Sequence, residues 1–134
     1  MLVLLVAAAA VALPVGGAAA ISPTFRVTIV HYVSGCHVWR SATKSLGPAT
    51  TIIVKPGTRL QIRINCPMDF DFRQVAGPPL VLGAKRSYAG TLRTAVFKKP
   101  GIYKLAAKNV QSSVERGLQT LGPDNALALK IIVR

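Results

Sequence analysis

Acidic side chains are scarce: Asp69, Asp71, Glu115 and Asp124 face 17 lysines and arginines, giving a formal charge of +13 over 134 residues. Carboxylate chemistry therefore has little to draw on. Asp69 and Asp71 are two apart and share a strand face, but Arg73 continues that face and is their expected partner in a solvated ion pair. Histidine is equally rare, with only His31 and His37, and no Cys, His or Met follows Met68. Neither Ser34 nor Ser112-Ser113 sits in a G-x-S-x-G frame, so a hydrolytic triad has no nucleophile in the usual setting. No phosphate-cradling glycine loop and no zinc-type spacing is present. An enzyme is not expected. No run of five or more basic residues occurs and no nucleic-acid motif accompanies the charge, so a specific nucleic-acid reader is not expected either. The basic residues are dispersed over a solvated exterior that attracts polyanions in general and keeps the domain soluble by self-repulsion. Arg59, Arg63, Arg73, Lys98 and Lys99 are candidates for contacts with an acidic surface or polymer.

The first twenty residues carry no charged side chain at all. Leu2 to Leu13 are continuously apolar, Pro14 and Gly16-Gly17 interrupt the run, and Ala18-Ala19-Ala20 offers a small-residue cleavage site. This reads as a secretory signal over 1–20, followed by one domain over 21–134, and places the protein outside the cytoplasm, secreted or at the cell surface. A retained transmembrane anchor is the alternative, since about 20 apolar residues suffice to span a bilayer; membrane contact is expected only through that segment.

Cysteine is limited to Cys36 and Cys66. In an exported chain two cysteines point to a disulfide more often than to a metal site. A Cys36–Cys66 bridge would stabilise the fold by roughly 3 to 4 kcal/mol on the chain-entropy model. The stretch HYVSGCHVW, His31 to Trp39, keeps a second reading open. Together with Met68, the residues His31, His37 and Cys36 form a chemically competent set for copper, because imidazole, thioether and thiolate all suit it. Against that, His31 continues an apolar alternation and is expected as a satisfied core histidine. Trp39 is expected in the core.

What the sequence has in plenty is period-2 alternation. Phe25, Val27 and Ile29 alternate with Arg26, Thr28 and Val30; Leu60, Ile62 and Ile64 alternate with Arg59, Gln61 and Arg63; Met68, Phe70 and Phe72 alternate with Asp69, Asp71 and Arg73. These are half-buried strands. Thr51 to Val54, Leu92 to Phe97, Ile102 to Ala107 and Ala126 to Arg134 complete a set of about seven, separated by turns at Pro56-Gly57, Pro100-Gly101 and Gly122-Pro123-Asp124-Asn125. Val110 to Leu121 is expected as a short helix or irregular loop. Short strands at this spacing describe an all-β sandwich or barrel.

Three passages give the pattern a family likeness: VKPGTRLQIRIN (Val54 to Asn65), FKKPGIYKL (Phe97 to Leu105) and the final LALKIIVR. Their order resembles a cupredoxin, the Greek-key sandwich of plastocyanin-like proteins; an immunoglobulin-like sandwich with Trp39 packed on the cysteine bridge is the competing fold. In copper-carrying members, two imidazoles and a thiolate hold the metal, with a weak axial thioether. By this resemblance the first His position falls on Phe70 and the Cys position near Ala107, and the segment after Ala107 offers no ligand. The resemblance therefore implies a secreted, copper-free cupredoxin-like binding or structural module without a cofactor. A copper-binding or electron-transfer protein with a rearranged site is the alternative, and a polyanion-binding protein is the second.

Overall fold

The computed structural model describes residues 21–31, 37–42, 44–115, 117 and 126–134. The expected signal over 1–20 and the expected bridge residue Cys36 lie outside them. Among the described residues ten strands follow one another: β1 Thr24–His31, β2 His37–Ser41, β3 Lys44–Gly47, β4 Ala49–Val54, β5 Arg59–Asn65, β6 Asp69–Ala76, β7 Arg86–Ser87, β8 Leu92–Val96, β9 Gly101–Val110 and β10 Ala126–Val133. The seven expected strands are all present, and β2, β3 and β7, which are too short or too irregular to show a period of their own, are added to them. No helix is present among the described residues, and 111–115 continue beyond β9 without one.

The strands form two five-stranded sheets, ordered β3-β2-β1-β5-β8 and β4-β10-β9-β6-β7. The chain changes sheet after β3, β4, β5, β7 and β8, so neighbours in sequence are often not neighbours in a sheet. Two pairs are parallel, β1 with β5 and β10 with β4. Parallel partners cannot be joined by a hairpin, which is why the chain must cross over between them. This is the all-β sandwich expected from the alternation.

Each sheet turns its apolar rows inward. Val27, Ile29 and Trp39 of the first sheet meet Phe70, Tyr103, Leu105, Leu127, Leu129 and Ile131 of the second in one core. Fully burying a large apolar side chain stabilises by about 1.5–3 kcal/mol, so these rows supply the main driving force. Trp39 adds a polar link across the sandwich: its indole N–H donates to the carbonyl of Ala128 on β10 at 3.1 Å. The FKKPGIYKL passage folds as a turn into β9, with the Phe97 and Tyr103 rings edge-to-face at 5.0 Å and the Tyr103 hydroxyl donating to the Lys99 carbonyl at 2.7 Å. Gly77, at φ 108°, lets the chain leaving β6 pass directly over β9; a Cβ there would lie 2.4 Å from the Ile102 carbonyl oxygen.

Candidate functional site

The register of the two sheets collects the chemically active side chains at one end of the sandwich. β1 and β2 pair antiparallel, with His31 directly opposite His37. Because β1 also runs parallel to β5, with Val30 beside Asn65, the turn Cys66–Met68 follows at the same end. The antiparallel pairing of Asp69 with Val110 brings the segment after β9 there too. That segment is tied down: the Ser112 hydroxyl donates to the Pro67 carbonyl and accepts the Val114 and Glu115 amides at 3.1 and 2.9 Å. Ser113 donates to the buried Asp69 carboxylate at 3.0 Å, which also accepts the Ala89 amide at 3.0 Å. The chain on either side of Met68 is thus fixed by hydrogen bonds to two other segments.

His37 is 0% exposed, and among the described residues neither of its ring nitrogens has a hydrogen-bond partner. Its ring meets His31 at 5.1 Å between centroids and Phe70 at 5.3 Å, both edge-to-face. Burial, with a smaller contribution from the neighbouring His31, pushes its pKa down to about 4, which keeps the imidazole neutral. His31 lies on the inner side of β1 as the alternation implies, but at the rim, where it is exposed. The expectation that His31 is a core histidine is therefore corrected: the buried histidine is His37. Cys66 is a free, half-buried thiol in the structure. Burial pushes its pKa up, a backbone hydrogen bond from Met68 opposes this, and the charge of Asp69 adds to the rise. Met68 is 1% exposed. Among the described residues no three of His, Cys, Asp and Glu gather within metal-binding reach.

Phe70 and Ala107, onto which the resemblance maps the His and Cys of a blue copper centre, are both buried. Neither side chain has a donor atom, so the residues present there do not fit that ion. The imidazole of His37 instead comes up against Phe70 from the opposite sheet.

The candidate anion-contacting residues separate. Arg59 and Arg63 project from the outer face of the first sheet, Arg73 from the outer face of the second, and Lys98 and Lys99 lie in the turn before β9; all are exposed. The structure adds two residues that sequence reasoning missed. Arg26 and Arg40 stand on the same outer face as Arg59 and Arg63, because Thr28 pairs with both Arg40 and Arg63. Arg26 donates to the Gln61 side chain at 2.9 Å. Arg26, Thr28, Gln61, Arg63 and Leu92 line a shallow depression of about 330 Å³. No strand of this sheet carries Asp or Glu. Asp71, on the other sheet, is paired with Arg86 at 2.8 Å and Lys85 at 3.6 Å, not with Arg73.

No family model matches the sequence, and no curated protein matches it. Among solved structures the chain is similar to Fet3p, a multicopper oxidase that functions in iron import, with 17% identity over 83% of this chain and 23% of that one at a TM-score of 0.44. It is also similar to reduced rusticyanin, with 14% identity over 86% of this chain and 82% of that one at 0.43. A further multicopper oxidase has 17% identity over 83% and 41% of the two chains at 0.40. The chain thus spans less than half the length of either oxidase.

Proposed function

We propose that this chain is an extracytoplasmic, cupredoxin-like binding module, not an enzyme and without a type 1 copper centre, that holds an acidic polymer or surface against the first sheet. The observation that carries the reading is the outer face made by Arg26, Arg40, Arg59 and Arg63, with Thr28 and Gln61 between them and no carboxylate on its strands. A flat β face bearing arginines suits repeated anionic groups, because each guanidinium presents a fork of donors to a phosphate or carboxylate. The donor-free side chains of Phe70 and Ala107 support the absence of a blue copper centre. The apolar leader and the shortage of acidic groups support an exported, cationic role. The reading includes a Cys36–Cys66 bridge formed in an oxidising compartment; two titratable thiols per exported chain would remove that part of it.

Retention on inorganic polyphosphate tests the proposal. Changing Arg26, Arg40, Arg59 and Arg63 together to Gln should weaken binding at least tenfold and flatten its salt dependence, since the slope falls by about one unit for every phosphate that no longer meets a cation. Changing Lys55, Lys98, Lys99 and Lys108 to Gln alters the net charge equally and should have a much smaller effect. Equal weakening in the two variants would show that charge alone acts, and the face would have no role of its own.

A further inference from the structure

Buried polar groups in folded proteins almost always have partners, and a buried imidazole with both nitrogens unpaired calls for one. His37 is such a group among the described residues, and its ring lies edge-to-face against a second imidazole. We propose that His31 and His37, with the thioether of Met68 as third donor, form a binding site for a soft monovalent metal ion of the Cu(I) class. The site is built on the β1–β2 pair and uses neither of the positions that the cupredoxin resemblance assigns to type 1 ligands, although Phe70, which holds the first of them, packs against His37. It goes beyond the anion-binding reading and does not depend on it.

The register supplies the geometry. Opposed residues of an antiparallel pair place their side chains on the same face, here the inner one, and the two rings sit 5.1 Å apart at 78°. A ring nitrogen binds zinc at about 2.0–2.1 Å; at a similar distance, with one nitrogen of each ring turned to the ion, each centroid would lie roughly 3 Å from it, and a separation near 5 Å would correspond to an about tetrahedral angle. The chemistry of the donors selects the ion: imidazole and thioether favour Cu(I) over hard divalent cations, which require oxygen ligands. Met68 is chosen over Cys66 for two reasons. No third His, Cys, Asp or Glu gathers with the pair among the described residues. Met68 is buried two residues before Phe70, whose ring already touches His37. The Ser112–Pro67 and Ser113–Asp69 hydrogen bonds fix the chain around Met68, as a preorganised ligand requires.

Anaerobic titration of the full chain with Cu(I), competed by bicinchoninate, tests the site, with X-ray absorption reading the ligand atoms. One ion per chain with nitrogen and sulfur neighbours is expected. His31→Ala and His37→Phe should each weaken affinity at least 100-fold, and Met68→Leu at least tenfold, while Cys66→Ser leaves it within threefold. Without metal, His37→Phe should melt at or above the parent temperature, because it replaces an orphaned polar ring by an apolar one against Phe70; should that variant not fold, the exposed His31→Ala carries the test. Absence of stoichiometric binding overturns the proposal. So does binding that survives both histidine variants, binding unchanged in Met68→Leu, or binding abolished in Cys66→Ser alone.

Discussion

Replacing Arg93 should weaken the sandwich more than any other single change to a charged residue. Arg93 stands on the inner side of β8 opposite Ile62 and is 8% exposed. Burial lowers its pKa, and among the described residues no carboxylate offsets that cost. Its hydrogen-bond partners come from β7, at the edge of the other sheet, and from the segment that leads into it. The guanidinium donates to Ser87 Oγ at 2.9 Å, to the carbonyls of Leu82 and Ala84, and to that of Lys85 at 3.4 Å. It also lies 4.6 Å over the Phe72 ring. A hydrogen bond from a charged donor contributes about 1.5–3 kcal/mol and a desolvated cation–π contact up to about 2. Two corrections reduce the sum: removing the charge recovers its desolvation cost, and water can reach the carbonyls of the exposed residues Ala84 and Lys85. A net loss of about 3 kcal/mol for Arg93→Met follows, and about 2 for Arg93→Lys, which keeps the charge but not the planar fork. At about 4 °C or more per kcal/mol for a domain of this size, the methionine variant should melt at least roughly 10 °C lower. Urea unfolding followed by fluorescence reads this directly, because Trp39 is the only tryptophan and is wholly buried. Amide exchange at Phe72, whose N–H donates to the Lys85 carbonyl at 2.8 Å, should quicken in parallel. A methionine variant within 0.5 kcal/mol of the parent, or more stable, would refute the reasoning, because burial of the guanidinium would then outweigh its bonds.

Trp39→Phe should cost about 2 kcal/mol in urea unfolding monitored by circular dichroism, since it removes the indole link to Ala128 and leaves a cavity at the centre of the core. Gly77→Ala should be more damaging than Gly57→Ala: both have positive φ, but only at Gly77 does the new Cβ meet backbone, 2.4 Å from the Ile102 carbonyl oxygen, so its destabilisation should exceed the roughly 1–2 kcal/mol of left-handed strain alone. Thermal melts of the two variants check the order. Asp71 has its pKa lowered, first by the hydrogen bond from Arg86, so its contribution is fully present above the unfolded value of about 3.9 and is lost as pH falls through the folded one. Asp71→Asn should therefore flatten the acid limb of the stability curve below about pH 4, and the difference from the parent should shrink in 1 M salt, as for a surface pair.

The inner rows are legible in the sequence because alternation reports a local property. Val27 and Ile29, Leu60 to Ile64 and Leu127 to Val133 each declare a buried face within one strand, and the structure buries all of them. What alternation cannot report is which strands lie side by side. Arg26 and Arg63 are 37 positions apart, and only the parallel β1–β5 register makes them one surface, so a search along the chain finds Arg59 and Arg63 and passes over Arg26 and Arg40. The histidines show the same limit. Their residue types mark His31 to Trp39 as unusual, but the alternation that places His31 does not report the antiparallel pairing that sets His37 opposite it. The burial of His37 depends on Phe70, which arrives from the other sheet. β7 is the extreme case: two residues carry no period, and Arg86–Ser87 pairs with β6 where Asp71 on one side and Arg93 on the other can hold it. Chemistry that depends on one strand can be read from sequence; chemistry shared between strands needs the register.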